Sequence, residues 1–471
     1  MKRHLKKIWY SLPILILSVV CLLMLKNIQY KKTTSKKQII LISIDTLRAD
    51  HLPFYGYERD TSPNLSKLVK QSSLYTNAYT NSPWTYPSHM TLLTGTLPSR
   101  HGLNEGFVTI AIHKKYPVLD DSILTIAEIL KRNNLNTIKI FTLSEKVGFG
   151  RGFDKKYHMD SFCDDDCETI LREIEDNKNQ DFFIFAHTWL VHAPYPSSHF
   201  LKPETKESLG IEDIATIDNF KVDAKEYKQV LFDRGLFNRN DCIDLYDGGI
   251  YKVDQYIKKI IDKCKQLDIY DDILLAIVSD HGEHFGEHHP KKFYNSHGWG
   301  CYEELIRVPF IIKFPLQSKP KVDHSPVALV DFVPTILDYY NIEIPHFVQG
   351  KSLINGISRD FIITEASSLP TVEKKMILKN DLKYFFEMKN PSGPGRVNWK
   401  SIKKRRLFNL KTDPFEKTNL AKKSLFDETI KSLEKLLIDE ITESTKLCAS
   451  KNQAELLEET IEQLKALGYL Q

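Results

Sequence analysis

Glycine, proline and cysteine are all sparse in this chain of 471 residues. Glycine and proline together number 41, while 42% of the residues are hydrophobic, which excludes a collagen-like or disordered polymer and indicates a globular protein. The seven cysteines show no metal-knuckle spacing, and a chain of this length buries a large core without disulfide bonds. Only Cys163 and Cys167 lie close together, as either a small loop disulfide or two ordinary thiols.

Positive charge is scarce outside the N-terminus. The formal net charge is +4, yet residues 1–37 contain nine basic and no acidic side chains. The remaining residues therefore have a net charge of −5, from 56 basic and 61 acidic side chains. This mildly acidic body predicts no nucleic-acid partner.

Long apolar runs are absent except for one near the N-terminus. Residues 8–25 (IWYSLPILILSVVCLLML) carry no charge and would span about 27 Å as a helix, close to the hydrocarbon thickness of a bilayer. Lysines follow this run and no small-x-small cleavage site does, which favours an uncleaved single-pass anchor over a cleaved signal peptide. Basic residues flank both ends of this apolar run, so the positive-inside rule is nearly balanced. We expect the short N-terminus in the cytoplasm and the body on the extracytoplasmic side.

Short apolar runs that end in a polar residue alternate with helix-like stretches. These runs are residues 38–44, 137–142, 181–186, 273–279 and 308–314. They predict an α/β fold with a mostly parallel sheet covered by helices on both faces. In such folds the ligand site lies beyond the carboxyl ends of the strands. That rule points to Asp45, to residues 187–192 and to Asp280.

Changes in sequence texture predict three parts. Residues 1–37 form the membrane anchor and its basic flank, and residues 38–362 form the main α/β domain, in which the polar segment 199–245 is an insertion or a helical cap. Residues 363–471 form a small α+β subdomain, with strands at 376–388 and 406–410 and a helix at 423–447. A tail helix is expected around residues 457–464, with Gly468 as its C-cap.

Three separated clusters contain the residue types that a metal site requires: residues 45–50 (DTLRAD), residues 84–95 (WTYPSHMTLLTG), and residues 279–283 (SDHGE) with His297 following. Oxygen and imidazole ligands suit Zn²⁺, Mn²⁺, Mg²⁺ or Ca²⁺. Two carboxylates, a hydroxyl and an imidazole leave coordination positions open for an ester oxygen. A hydroxyl at a helix N-terminus beside such a metal has a lowered pKa, which makes Thr85 a candidate nucleophile. Its alternative role is an N-cap.

Several longer strings follow one another in an order typical of a single enzyme family. They are IDTLRADHLPFYGYERDTSPNLSKL, SPWTYPSHMTLLTGTLPSRHG, HAPY, YDGGIYKVD, SDHGEHFGEHH, YEELIRVPFII, VDFVPTILDYYNIEIP and LFNLKTDPFEKTNL. On these strings, residues 38–425 resemble the sulfatase family of the alkaline phosphatase superfamily. The resemblance implies the fold of that family, a divalent metal and hydrolysis of anionic esters.

Two positions depart from the family pattern. The C/S-x-P-S-R signature, whose first residue is oxidised to formylglycine, is Thr85-Tyr-Pro-Ser-His89 here, and a threonine cannot yield that aldehyde. The usual Asp-Asp pair is Asp45-Thr46. A threonine with two aspartates and a histidine is instead similar to the phosphodiesterase branch and to the phosphoethanolamine or phosphoglycerol transferase branch. In those branches, the threonine attacks phosphorus and becomes covalently phosphorylated.

The resemblance also implies roles for individual residues. The metal ligands would be Asp45, Thr85, Asp280 and His281. His192 and His297 would stabilise charge, protonate the leaving group or hold a second metal. Substrate contacts or supporting hydrogen bonds are implied for Arg48, His89 and Glu283, with Asp50 in a supporting position. Arg100 and Lys146 are candidates either for contacting an anion or for ordinary ion pairs, and His284, His288 and His289 are expected in a polar loop beside the site.

These expectations define the predicted function. The chain is expected to be a membrane-anchored, metal-dependent hydrolase that uses Thr85 to cleave phosphate esters or diesters. The alternatives are a sulfuric ester hydrolase, a phosphoethanolamine- or phosphoglycerol-type transferase, and a noncatalytic binding protein on the same scaffold.

Overall fold

The computed structural model describes most of the chain after residue 35. Its described ranges are 36–104, 115–141, 143–158, 165–193, 195, 197–208, 239–288, 294–354, 356, 359–369, 372–389, 399–448 and 453–455. The predicted anchor, Cys163, His289, most of the predicted cap and the tail helix lie outside these ranges and stay predictions. Among the described residues, no helix has both the length and the apolar character that crossing a bilayer requires. The chain divides into two units, residues 1–37 and residues 38–471, and the description that follows concerns the larger unit.

An eight-stranded sheet forms the centre of the larger unit. In chain order its strands are β1 (Gln38–Ile44), β2 (Ser73–Tyr79), β4 (Asn136–Ile140), β5 (Lys155–Tyr157), β6 (Phe182–Thr188), β7 (Leu274–Ser279), β10 (Phe310–Lys313) and β11 (Lys321–Ala328). Across the sheet the order is β11-β2-β10-β7-β1-β6-β4-β5. The predicted mostly parallel sheet is confirmed, with one exception. Strand β10 runs antiparallel to both of its neighbours, β2 and β7.

Helices cover both faces of this sheet. In chain order, the described helices up to residue 339 are α1 (Pro63–Val69), α2 (Thr85–Thr94), α3 (Pro98–His101), α4 (Ile126–Arg132), α5 (Asp165–Asn177), α6 (Pro203–Ser208), α7 (Arg239–Gln266), α8 (Glu303–Ile306) and α9 (Phe332–Tyr339). Residues of α2, α4 and α9 join the apolar cluster on one face, and residues of α1, α5 and α7 join the cluster on the other. The sheet is therefore the middle layer of three.

The central strand β1 shows why its sequence has no polar alternation. Ile39 and Leu41 belong to the apolar cluster on one face, whereas Ile40, Ile42 and Ile44 belong to the cluster on the other. Successive strand side chains point to opposite faces, so a strand buried on both faces is a continuous apolar run. Each of these side chains is at most 3% exposed and contributes roughly 1.5–3 kcal/mol relative to exposure.

A second, smaller sheet follows the main one in the chain. Four antiparallel strands form it: β12 (Ile362–Leu369), β13 (Val372–Lys379), β14 (Leu382–Lys389) and β15 (Ile402–Asn409). One face packs on helix α10 (Asp427–Lys446), and the other contributes to a cluster with residues of α8 and β11. The predicted small second sheet and its helix are therefore confirmed, but residues 376–388 belong to two antiparallel strands joined by a turn rather than to one strand. Two short ribbons complete the fold: β8 (His284–Phe285) with β9 (Tyr294–Ser296), and β3 (Lys115–Pro117) with β16 (Gln453–Glu455).

The register of three parallel strands sets the position of the site. Ile44 of β1 lies beside Thr188 of β6 and beside Ser279 of β7, so the three strands end at the same level. Asp45 and Asp280 directly follow two of these strand ends. The two aspartates therefore meet at the carboxyl edge of the sheet, as the sequence predicted.

Candidate active site and metal centre

Four predicted residues meet at this edge: Asp45, Thr85, Asp280 and His281. The Nε2 atom of His281 lies 3.6 Å from Asp45 Oδ1, 3.4 Å from Asp280 Oδ2 and 3.3 Å from Thr85 Oγ1. All four side chains are buried. Ligand atoms of the two aspartates and the histidine lie within 4.8 Å of one another, a separation that a single metal ion can bridge.

The orientation of the His281 ring decides what this cluster can hold. Its Nδ1 lies 2.9 Å from the Gly282 carbonyl oxygen, so Nδ1 carries the proton and donates it, and the Nε2 lone pair faces the carboxylates. Among the described residues, Asp45 Oδ1 and Asp280 Oδ2 accept no hydrogen bond. Two buried carboxylate oxygens that lack a donor, beside the lone pair of an imidazole nitrogen, are unfavourable unless a cation or a proton lies between them. The residues present therefore fit a divalent metal.

Burial and crowding of like groups also shift the pKa values of the two aspartates and of His281. Burial raises the pKa of Asp45 above its ordinary value, and burial together with the charge of Asp45 raises the pKa of Asp280 well above its own. Burial and the neighbouring histidines lower the pKa of His281 well below its ordinary value. Each group resists its charged form, so a cation between the carboxylates would relieve the repulsion.

Thr85 is the first residue of helix α2. The N-cap is Trp84, which has extended backbone angles, so the alternative role of Thr85 as the N-cap is wrong. At this position the Thr85 hydroxyl lies at the positive end of the helix dipole, which favours negative charge on Oγ1. The Ser88 hydroxyl, one turn later, donates to the Asp280 carbonyl oxygen at 2.7 Å and ties α2 to β7.

Thr46 occupies the position of the missing second aspartate and has an unusual backbone. Its φ of 58° is in the left-handed region, which is a genuine outlier for a β-branched residue. Hydrogen bonds hold it there: the Thr46 amide donates to Asp280 Oδ1 at 3.3 Å, and its hydroxyl donates to the Val191 carbonyl oxygen at 2.9 Å. The Tyr246 hydroxyl donates to the Thr46 carbonyl oxygen. Thr46 thus joins the ends of β1 and β7 to the loop before His192.

His192 and His297 lie beside the cluster. Their ring centroids are 5.2 Å apart, and the His297 centroid is 4.4 Å from that of His281. Nδ1 of His192 donates to the Ala193 carbonyl oxygen at 2.6 Å, and Nδ1 of His297 donates to Glu283 Oε1 at 3.2 Å. Because both Nδ1 atoms are anchored, Nε2 is the atom that each ring offers for chemistry. Burial lowers the pKa of His192 below its ordinary value.

His89 and His187 form a hydrogen-bonded layer behind the aspartates. Nδ1 of His89 donates to the Thr85 carbonyl oxygen at 2.9 Å, and Nε2 of His89 lies 3.0 Å from Ser43 Oγ. His187 Nδ1 donates to the Ser43 carbonyl oxygen, and its Nε2 accepts from Trp189 Nε1 at 2.6 Å. Burial lowers the pKa of His187 to about 3. His89 is therefore hydrogen-bonded to the start of helix α2, which carries Thr85. The sequence pointed to His187 at the end of its strand, but it did not predict the hydrogen bonds that the His187 ring makes.

Arg48 is occupied by protein groups. It donates to both carboxylate oxygens of Asp50, at 2.9 and 2.8 Å, and to Glu287 Oε1 at 2.7 Å. A further hydrogen bond of 3.1 Å reaches the Glu283 carbonyl oxygen. In this position the Arg48 guanidinium is suited to holding the Glu283 backbone in place rather than to contacting a substrate directly. Of the other predicted cations, Arg100 lies on α3 and Lys146 in a 3-10 turn at residues 145–147.

The polar loop expected after Glu283 is part of a charged network that is buried at His284 and Glu304 and exposed at Asp50. His284 Nδ1 lies 3.1 Å from Glu287 and 3.3 Å from Glu304, and His288 Nδ1 lies 2.9 Å from Glu304. The term charged network is used below for six residues: Arg48, Asp50, His284, Glu287, His288 and Glu304. A cleft of about 1680 Å³ opens beside it, towards the small sheet. The residues that line this cleft do not include Asp45, Thr85, Asp280 or His281.

The fold and the cluster together define a class of protein. Acidic and imidazole groups beside a hydroxyl, at the carboxyl edge of a mostly parallel sheet, are typical of hydrolases that act on anionic esters. The chain belongs to the sulfatase family, because the Sulfatase family model matches residues 37–342. It is accordingly a hydrolase that acts on ester bonds.

Known relatives agree with this assignment. The chain is similar to an arylsulfatase of Clostridium perfringens, with 24% identity over 86% of this chain and 94% of the relative. It is also similar to a choline-sulfatase of Rhizobium meliloti, with 24% identity over 83% of each chain. Its fold resembles that of a phosphonate monoester hydrolase of Agrobacterium radiobacter, with a TM-score of 0.65, 14% identity and coverage of 87% and 96% of the two chains.

Proposed function

We propose that this protein is a metal-dependent hydrolase that cleaves phosphate esters or diesters, with Thr85 as its nucleophile. The observation that carries the proposal is the approach of Thr85 Oγ1 to His281 Nε2 at 3.3 Å, beside two carboxylate oxygens that accept no hydrogen bond from the described residues. Asp45, Asp280 and His281, with the Thr85 hydroxyl, would hold the metal. When bound, a divalent ion lowers the pKa of a hydroxyl and stabilises negative charge on an ester oxygen.

The protein's own groups account for the rest of the reaction. Thr85 gives its hydroxyl proton to water and attacks phosphorus, so that the Oγ1–P bond forms while the P–O bond to the leaving alcohol breaks. The dipole of α2 favours the charge on Oγ1. His297 keeps its Nδ1–H hydrogen bond to Glu283, so in its doubly protonated form it is the group placed to give its Nε2 proton to the leaving oxygen. Water then attacks the phosphothreonine, the P–Oγ1 bond breaks, and Oγ1 takes a proton from that water as the phosphate group is released.

The identity of the nucleophile favours phosphorus over sulfur. Formylglycine is an aldehyde, whereas the Cβ of threonine also carries a methyl group, so oxidation of Thr85 would give a ketone. Direct attack by the hydroxyl is therefore the chemistry left to this residue. The donor set of two carboxylates, a hydroxyl and an imidazole suits Zn²⁺, Mn²⁺, Mg²⁺ or Ca²⁺.

Hydrolysis of sulfate esters is the second candidate function. It is supported by the similarity to an arylsulfatase and to a choline-sulfatase over more than four-fifths of the chain. In this reaction Thr85 would attack sulfur directly. Transfer of the group to an acceptor alcohol differs from hydrolysis only in the second attacking molecule. We place the reaction on the extracytoplasmic side of a membrane, because residues 8–25 are long and apolar enough for a single-pass anchor.

The test compares two buried threonines of the same helix. Thr85→Ala removes the proposed nucleophile, whereas Thr91→Ala removes a hydroxyl that contacts His101 Nε2 at 3.1 Å instead. With the purified full-length chain, turnover of a phosphate diester, a phosphate monoester and an aryl sulfate is measured in Mn²⁺ and in Zn²⁺. We expect Thr85→Ala to lose about 10³-fold or more in kcat and Thr91→Ala to keep most of it.

Each outcome separates the candidates. Highest turnover of the phosphate diester supports the proposal, and highest turnover of the aryl sulfate supports the second candidate. Full activity in Thr85→Ala would remove Thr85 as the nucleophile. Inertness of the wild-type chain towards all three substrates would favour the noncatalytic alternative.

A further inference from the structure

Three consecutive backbone carbonyls join the parts of the proposed site. We call them the carbonyl triplet: the carbonyl oxygens of Leu305, Ile306 and Arg307, at the end of α8. They accept from the amides of Gly282 at 2.9 Å, Thr80 at 2.8 Å and, more weakly, Ala49 at 3.5 Å. These amides belong to the three segments that carry Asp280 and His281, Thr85, and Asp45. One short element therefore sets the spacing of all the candidate metal ligands.

The contact at Gly282 leaves no room for adjustment. A Cβ atom on this glycine would lie 1.9 Å from the Glu304 carbonyl oxygen and 3.2 Å from Arg48 Cγ. No side chain fits there, so the turn that follows Asp280 and His281 packs directly on the backbone of α8. A displacement of α8 is consequently transmitted to both ligands.

The other end of α8 is held by the small sheet. Lys383 of β14 lies with its Nζ 2.9 Å from Glu303 Oε1 and 2.8 Å from Glu416 Oε1. The second carboxylate oxygen of Glu416 accepts from the Glu303 amide at 2.7 Å. Lys383 is fully buried and Glu416 is 3% exposed. The first residue of α8 is therefore fixed by two groups from the C-terminal part of the chain.

We infer that Lys383 is a positioning residue for the metal centre, acting through Glu303 and the carbonyl triplet. This inference rests on the proposed metal site. Without the Lys383 ammonium, the carboxylates of Glu303 and Glu416 would face each other in a buried space and repel. The two carboxylates would then move apart and displace the start of α8. Through the hydrogen bonds of the carbonyl triplet, this displacement would reach the segments that carry the candidate metal ligands.

The neighbouring His288, Glu304 and Glu416 also have the composition of a metal site. In this cluster, however, Lys383 already supplies a positive charge to Glu416, and His288 is paired with Glu304. The charges are therefore balanced by the protein itself, which favours a structural role for these residues.

The same sheet provides a matched control. Lys375 of β13 is also buried between two carboxylates, with Nζ 2.7 Å from Glu365 and 3.0 Å from Glu373. Glu365 accepts from the amide of Ser99 on α3 at 2.8 Å, so this triad is joined to α3 and not to the α8 backbone. Loss of either lysine leaves two carboxylates without their shared cation, but only loss of Lys383 disturbs the triplet.

The experiment measures metal affinity rather than activity. Mn²⁺ and Zn²⁺ dissociation constants of the full-length chain are determined by titration calorimetry, at a temperature where circular dichroism shows each variant folded. We expect Lys383→Met to weaken metal binding about tenfold or more and Lys375→Met to change it less than about twofold. Lys383→Arg should recover most of the affinity, because a cation again lies between the two glutamates.

Equal metal affinity in Lys383→Met and Lys375→Met would overturn the inference. If Lys383→Met does not fold, Glu416→Gln and Glu373→Gln replace the pair, and only Glu416→Gln should weaken metal binding. Equal affinity in those two variants would overturn the inference as well. A wild-type chain that binds neither ion would overturn the proposed function together with this inference, whereas intact binding in all variants overturns this inference alone.

Discussion

The segment 280–288 contributes residues to two ionisable clusters, the candidate metal centre and the charged network, and these clusters differ in how their charge is balanced. In the metal centre, burial raises the pKa of Asp280 well above its ordinary value. In the charged network, burial opposes ionisation of Glu304 too, but hydrogen bonds from His284 and His288 outweigh it and lower the pKa to about 2. The network carries its own cations, whereas the metal centre does not. The difference favours the cluster at Asp280, rather than the charged network, as the one that would take a cation from solution.

The largest expected effect follows Asp280→Asn. Since the pKa of Asp280 is raised on folding, its contribution is favourable only at low pH and is lost as the pH rises through the folded value. A neutral amide of the same shape should therefore stabilise the protein at pH 7 in the presence of a chelator. It should also abolish metal binding and lower kcat by about 10³-fold or more. Thermal unfolding in a chelator, with and without excess Mn²⁺, measures both effects.

Replacing a carboxylate by an amide in the charged network should instead lower the stability of the protein. Glu304→Gln leaves His284 and His288 without their shared carboxylate, and breaking a buried pair in this way costs about 3 kcal/mol or more. Urea unfolding in the presence of a chelator provides the comparison with Asp280→Asn. A stabilised Glu304→Gln variant would mean that the two clusters do not differ as described.

Addition of metal to the wild-type chain should stabilise it. An ion that binds only the folded state contributes about 2.7 kcal/mol at one hundred times its dissociation constant. We expect the melting temperature to rise with Mn²⁺ concentration in the wild type and in Glu304→Gln, but to stay constant in Asp280→Asn. A rise of the same size in Asp280→Asn would place the bound ion elsewhere.

The smallest expected effect is a pH dependence from His288. Burial lowers the pKa of His288, but the hydrogen bond and charge of Glu304 outweigh it and raise the pKa above its ordinary value. Its stabilising contribution is present below the pKa of an unfolded histidine, about 6.5, and is lost as the pH rises through the folded value. Between pH 6 and 8.5 the stability of the wild type should therefore fall more than that of His288→Gln. Parallel urea midpoints across this range would contradict the expectation.

The sequence predicted those features that depend on local pattern. The apolar run of residues 38–44 predicted β1, and the rule for parallel sheets then brought Asp45 and Asp280 together, which the strand register confirms. Strand β10 was expected from the same kind of run. Nothing in that run indicated its antiparallel direction, because direction depends on the connections between strands.

The sequence did not predict features that depend on contacts between residues far apart along the chain. The positive φ of Thr46 has no signal in a threonine, because its bonds to Val191 and Asp280 involve residues more than 100 positions away. The carbonyl triplet is likewise a backbone feature that no side-chain pattern records. The balance of charge around Glu304 required the positions of His284 and His288, which the sequence suggested only as a polar loop.

Anomalous diffraction from a Mn²⁺-soaked crystal of the protein tests the central claim most directly. The account predicts a peak within about 2.0–2.6 Å of Asp45 Oδ1, Asp280 Oδ2 and His281 Nε2, the range for such ligands. A peak among His288, Glu304 and Glu416 instead, with none between the two aspartates, would contradict it.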